Sequence, residues 1–119
     1  MSKLIKTQPQ LLNCERTEQG YQLDLLVPHD LDYFNGHFKD GPILAGVVQL
    51  DWAISTICQQ FKLSRPVKNV EVLKFQVVIT PGITIRLVVE QKSQDKYLFS
   101  YHSAKGQHAS GRVVFVSAE

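Results

Sequence analysis

The 119-residue sequence predicts an α+β fold, a curled antiparallel sheet of about six strands wrapped around one long central helix. Three observations predict it. Only one segment, about Ala45 to Phe61, carries apolar residues at steps of three and four. The other apolar segments are β-branched or alternate with a period of two, and Gly, Pro and Ser turn signals bound them. The order is strand, strand, helix, then four strands, without the strand–helix alternation that builds a parallel sheet.

Gln10 to Val27 reads as a hairpin turned at Gln19-Gly20. In "YQLDLLV", Tyr21, Leu23, Leu25 and Val27 share one face. Pro28 ends that strand because it cannot donate to a ladder. "PHDLDYFNGHF" is a loop with one short helical turn and an Asn35-Gly36 turn signal. In the helix, Val47, Leu50, Ile54, Ile57, Cys58 and Phe61 form the apolar stripe, and Val48, Trp52 and Ala53 add apolar surface outside it. A helix apolar on most sides is expected at the centre of the fold. "VKNVEVLKFQVVIT" is a long strand that Pro81-Gly82 turns. "ITIRLVVEQ" follows, then a turn near Ser93 to Lys96, "YLFSYHSA", a turn at Lys105-Gly106, and "HASGRVVFVSA".

Hydrophobic residues make up 44% and charged residues 20%, which places the chain among globular proteins. Its length suits one domain, residues 1–119, with a single core. The net charge of +2 is spread thinly, with no run of four basic residues, which argues against nucleic acid as the partner. Cys14 and Cys58 lie far apart, which suits a reducing compartment with both as small buried hydrophobes. No apolar h-region follows MSKLIKTQPQ, and no apolar run is long enough to span a bilayer, so a soluble cytoplasmic chain is expected.

The stretch from Tyr33 to Ala53, "YFNGHFKDGPILAGVVQLDWA", holds the candidate chemistry. Asp51 has Val47, Val48 and Ile54 as helical neighbours and Ser55 as its polar one, and a carboxylate so walled should titrate high. That is what a general acid near neutral pH requires. The helix start at Ala45-Gly46 offers unpaired amides at the positive end of the dipole, and Gly46 has no side chain to obstruct an oxygen there. His37 is the natural base. Together they suit proton abstraction beside a carbonyl with loss of a β-leaving group. The ordinary readings are that His37 is a solvated loop residue, and that Asp51 caps something or faces a subunit interface.

"GHFKDGPILAGVVQLDWA" resembles the signature of the β-hydroxyacyl-acyl-carrier-protein dehydratases of the hot-dog fold, which runs G-H-F-P-G-x-P, two apolar residues, P-G-V, then an acid in the helix. Gly36, His37, Phe38, Pro42, Gly46, Val47 and Asp51 match. "LKFQVVITPG" (Leu73 to Gly82) is similar to the family's strand and turn, and the small size is similar to its stand-alone members in fatty-acid-like or aryl-polyene synthesis. An aspartate at the acid position is similar to the branch that also isomerises its product.

The resemblance implies that the chain dehydrates a (3R)-3-hydroxyacyl thioester to the trans-2-enoyl thioester. His37 would be the base and Asp51 the acid. The amides of Gly46 and Phe38 would hold the thioester oxygen, with Val47 beside them. It also implies a phosphopantetheine-linked substrate on an acyl carrier protein, and a homodimer whose sites take the His from one protomer and the acid from the other. An acyl tunnel lined by Phe34, Leu44, Val47, Val48 and Trp52 would follow. Three departures stand out: Lys39-Asp40 where Pro-Gly is common, Ala45 where a Pro precedes the helix-start Gly, and Ile83 where an Asp is common.

His29, His102 and His108 lack metal-ligand spacing, and no phosphate loop, G-x-S-x-G elbow or zinc pattern occurs, so no metal or cofactor is expected. Lys62, Arg65, Lys68 and Lys74 form either a solvated face or a docking patch for an acidic carrier. Two rival functions remain open: a hot-dog thioesterase in which Asp51 activates water, and a non-catalytic hot-dog subunit that binds an acyl carrier or an active partner.

Overall fold

The computed structural model describes residues 6–34 and 41–117. Its strands are β1 (Gln10–Arg16), β2 (Gly20–Leu26), β3 (Val67–Phe75), β4 (Thr84–Gln91), β5 (Lys96–Ser103) and β6 (Gly106–Phe115). Its helix α1 is Gly46–Phe61, and Asp32–Phe34 forms the short helical turn expected after Pro28. The six strands make one sheet in the order β1-β2-β4-β5-β6-β3, with every neighbouring pair antiparallel. The chain leaves β2, crosses the sheet as α1, and rejoins at the far edge as β3. The α+β expectation holds.

The core consists of rows that run across the strands. Leu23 pairs with Leu87, Leu87 with Tyr101, and Tyr101 with Ala109. The next row is Tyr21, Val89, Phe99 and Gly111. In both rows β6 supplies a small residue opposite an aromatic ring of β5. A Cβ on Gly111 would come 2.7 Å from the Phe99 ring. Large residues are therefore matched to small ones across the pleat, which is how a sheet reaches native packing density. Leu23, Leu25 and Val27 are buried as the alternation predicts, while Tyr21 is half-buried and its ring meets Phe61 edge-on.

The structure corrects the helix face. The buried residues of α1 are Val48, Gln49, Trp52, Ala53 and Ile57. Of the predicted stripe, Val47 is 74% exposed and Leu50, Ile54, Cys58 and Phe61 are only half-buried. Val47, Asp51, Ser55 and Gln59, four residues apart, form an exposed flank. The expectation of a helix covered on most sides does not hold for the single chain, because one sheet can cover only one side. Apolar spacing fixed the period but could not choose between two apolar flanks.

The cysteine expectation is also corrected. Cys14 is exposed, since β1 is an edge strand exposed along its whole length, and Cys58 is half-buried. Burial pushes the Cys58 thiol above its usual range, so it is no activated nucleophile. His108 is fully buried and structural: its Nδ1–H reaches the carbonyls of Val77 and Val78, and its Nε2 hydrogen-bonds to Ser103 Oγ at 2.6 Å. It ties the β5–β6 hairpin to the segment after β3. His102 bonds Ser100, and His29 is exposed beside Gly82. Among the described residues no His, Cys, Asp and Glu cluster could hold a metal, and no helix is long and apolar enough to cross a membrane.

At the other edge, β3 breaks register between Glu71 and Lys74, so Val72 and Leu73 together oppose Gly111. Val72 adopts φ 47°, a rare conformation for a β-branched residue. This bulge kinks the strand before Phe75, and it leaves Val72, Leu73 and Phe75 exposed along an unpaired edge.

Candidate active site

The site is built at the start of α1. Leu44 donates its amide to the Ile79 carbonyl at 2.7 Å, which fixes the incoming chain against the segment after β3. Ala45 then turns the chain with φ −62° and ψ 147° and provides no side-chain cap. The amides of Val48 and Gln49 both turn back onto the Ala45 carbonyl. The Gly46 and Val47 amides are left as the first-turn donors, with no partner among the described residues. They stand at the positive end of the helix dipole, where an anionic oxygen is favoured.

Gly46 has a packing reason as well. A Cβ there would come 2.7 Å from Cζ of Phe75, so the glycine allows the β3 ring to lie across the helix start. Beside it opens a mainly apolar cavity of about 310 Å³, whose lining includes Ile43, Leu44, Gly46, Phe75 and the two amide side chains Gln49 and Gln76. Of the expected tunnel residues, only Leu44 lines it. Val47 stands on the open flank and Val48 is buried in the core. Trp52 faces a separate hollow with Pro9, Leu11 and Leu23, and Phe34 packs half-buried on the core.

Asp51 is exposed, so the apolar wall expected around it is not present in the single chain. The reason is the helix face: Val48 turns inward, while Val47 and Ser55 flank Asp51 on the open side. Ideal helix geometry puts Asp51 about 7.5 Å along the axis from Gly46 and roughly 140° around it. It is not among the residues lining the Gly46 cavity. The proposed base, His37, and the second oxyanion donor, Phe38, lie outside the described residues, as do Lys39 and Asp40.

Two polar residues beneath the site escaped the sequence reading. Tyr101 is fully buried and donates its hydroxyl to the Gln49 backbone carbonyl at 2.6 Å. Burial drives its phenol far above the usual range, and the Asp51 charge adds to this, so it is a fixed donor and not a proton shuttle. Gln49, 4% exposed, gives its side-chain NH2 to the Leu44 carbonyl at 3.0 Å. The signal for Gln49 was present in "GVVQLDWA", as a neutral polar residue inside an apolar run.

The basic group divides. Arg65 is engaged internally, with Asp95, the carbonyls of Gln94 and Val116, and the Phe115 ring. Lys62, Lys68 and Lys74 are exposed and make no ion pair among the described residues.

One departure from the family pattern has a direct physical consequence. The φ of Ala45 already lies where a proline ring would hold it. Ala45→Pro is therefore expected to stabilise the fold by about 0.4–1 kcal/mol, mainly by restricting the unfolded chain. Urea denaturation checks this, and an unchanged or lowered midpoint would show that the turn cannot accept the ring.

Comparison with known proteins agrees with this architecture. A search of curated proteins found no significant match. Among solved structures, the dehydratase heterocomplex ApeI:P from Xenorhabdus doucetiae superposes with a TM-score of 0.83 at 24% identity, covering 92% of this chain and 99% of that one. An uncharacterised protein from Erwinia carotovora subsp. atroseptica gives 0.77 at 31% identity, covering 93% and 98%. The dehydratase domain from the CurF module of curacin polyketide synthase gives 0.64 at 21% identity, covering 92% of this chain and 43% of that one. These likenesses identify the sheet and helix as the hot-dog fold. The family model described as ApeI-like, ApeI dehydratase, matches residues 13–112, and by that match the chain belongs to the ApeI-like dehydratase family.

Proposed function

We propose that the protein removes water from a (3R)-3-hydroxyacyl thioester held on an acyl carrier protein, giving the trans-2-enoyl thioester, in aryl-polyene or fatty-acid-like synthesis. The observation that carries the proposal is the Gly46 helix start. In a chain of this family, it sets Gly46, whose amide has no partner among the described residues, beside an apolar cavity, with Asp51 further along the same helix. His37 takes the α-proton, and the electrons of that C–H bond move toward the thioester carbonyl. The amides of Gly46 and Phe38 hold the oxygen as its charge grows, with Val47 alongside. The electrons then return to form the Cα–Cβ double bond, and the β-hydroxyl leaves as water with a proton from Asp51.

Asp51 lies on the exposed Val47–Asp51–Ser55 flank of α1, which a second chain would cover. That second chain would also bring Asp51 of one protomer toward His37 of the other. The exposed Val47, Val72, Phe75 and Val78 favour such a partner, since apolar groups of this size seldom stay wet together. The partner in this reading is a second copy of the chain. The heterocomplex formed by the ApeI:P dehydratase makes a related subunit the natural variant of it.

The test is to incubate the protein with 3-hydroxyacyl carrier of several chain lengths and with aryl-bearing acyl groups, and to follow intact mass and free thiol together. Dehydration without thiol release, abolished in His37→Ala, is expected. Thiol release that persists in His37→Ala would make the protein a thioesterase. Inactivity alone, together with an altered rate in a co-purifying partner, would make it a non-catalytic subunit. The carrier should dock on the exposed lysines. Replacing Lys62, Lys68 and Lys74 together by Gln is expected to weaken carrier binding and flatten its salt dependence, measured by titration at several ionic strengths. Unchanged affinity would place the docking surface elsewhere.

A further inference from the structure

β3 leaves the ladder after Phe75, which pairs with Ala109, and the segment 76–79 that follows is held mainly by one residue of β6. That residue is His108. Its carbonyl accepts from the amides of Gln76 at 2.8 Å and Val77 at 3.3 Å. Its ring Nδ1 meets the carbonyls of Val77 at 3.1 Å and Val78 at 3.2 Å. Both are acceptors, so the ring fits as the tautomer protonated on Nδ1, and its Nε2 accepts from Ser103 Oγ at 2.6 Å. The Ser103 oxygen in turn accepts from the Lys105 amide at 3.0 Å. A bulge explains the ring's place. Tyr101 pairs with Ala109 and His102 with Gln107, so His108 is an extra residue on β6. Such a bulge re-aims a side chain, which is how His108 and its neighbour Ala109 are both fully buried.

The segment held in this way belongs to the site. Gln76, Val77 and Val78 line the cavity beside Gly46. The Ile79 carbonyl accepts the Leu44 amide at 2.7 Å, and α1 begins at Gly46, two residues on. The imidazole therefore reaches the helix start through two links, first to the Val77 and Val78 carbonyls and then from Ile79 to Leu44. We propose that His108 is a positioning residue for the dehydration: its ring fixes the 76–79 segment, and that segment fixes the Gly46 amide against the thioester oxygen. This rests on the dehydratase reading above and adds to it a buried residue that moves no proton. An amide that stabilises charge only as the charge develops acts on the chemical step, so displacing it lowers kcat and leaves KM nearly unchanged.

The experiment measures kcat and KM for a 3-hydroxyacyl carrier protein on the full chain carrying His108→Phe, His108→Asn, His108→Gln or Ser103→Ala, each well below its unfolding midpoint. An Asn amide places an N–H donor near the position of Nδ1, whereas a Gln amide places one near Nε2. His108→Phe and His108→Gln are expected to lose about 10- to 100-fold in kcat, the effect of a displacement of about 1 Å, with KM little changed. His108→Asn should recover most of that loss, and Ser103→Ala should turn over like the parent. If the ring only braces the β5–β6 hairpin, Ser103→Ala will lose as much as His108→Phe, which overturns the proposal. Variants that lose stability but not kcat also overturn it, as does a His108→Asn no better than His108→Gln. Where His108→Phe does not fold, His108→Gln against His108→Asn carries the same comparison. Hydrogen exchange of the Leu44 amide reads the clamp without turnover: faster exchange in His108→Gln than in His108→Asn is expected, and equal protection overturns the proposal. A parent that shows this exchange pattern but dehydrates nothing fails the dehydratase reading instead, which keeps the two failures apart.

Discussion

Asp51→Asn is expected to fold and assemble like the parent and to dehydrate 3-hydroxyacyl thioesters about 100- to 10,000-fold more slowly, the usual contribution of a positioned acid. The change is nearly isosteric, and Asp51 makes no hydrogen bond or ion pair among the described residues, so little stability depends on it in the single chain. Its position on the open flank explains why one protomer should not suffice. Gly46 and Asp51 face different directions around α1, and the cavity at Gly46 does not include the acid. Mixed assemblies of His37→Ala and Asp51→Asn chains should therefore regain part of the activity, because one of the two shared sites is then intact. Parent-level turnover by Asp51→Asn would remove the acid from the account. Full loss with no recovery on mixing would remove the shared site.

Trp52→Ala is expected to have the largest effect on stability. The side chain is 1% exposed, fills the space between α1 and the sheet, and donates Nε1–H to the Thr7 carbonyl at 2.9 Å. Truncation leaves a large cavity and an unpaired carbonyl, for a loss of about 3–5 kcal/mol. Since a domain of this size holds only about 5–15 kcal/mol in total, urea denaturation should show a sharply lowered midpoint or an unfolded chain. Trp52→Phe keeps most of the packing and should lose much less. A Trp52→Ala variant as stable as the parent would mean that the N-terminal segment and the helix are not held together at this residue.

Much of the fold was legible because its periods were unambiguous. The alternation of Leu23, Leu25 and Val27 survives as a buried face that runs along β2 and just past its end, and the Pro81-Gly82 and Lys105-Gly106 turns stand where expected, with Gly82 and Gly106 both at positive φ. The helix was legible in extent but not in orientation. Val47 and Val48 are chemically alike, and only the position of the sheet decides that Val48 is covered and Val47 is not. Asp51 shows the same limit. Its sequence neighbours are apolar, yet a neighbour on a helix walls a carboxylate only if something packs against that flank. Gln49 was hidden for the converse reason: a residue that reads as an interruption proves to be braced by Leu44 and Tyr101, the latter contributed by a strand 52 residues further on.

The most direct measurement is the mass of a 3-hydroxyacyl carrier protein before and after incubation with the purified protein. The account predicts loss of one water from the acyl group with the thioester intact, faster with the parent than with either His37→Ala or Asp51→Asn. An unchanged acyl mass, or an acyl group cleaved from its thiol, would contradict it.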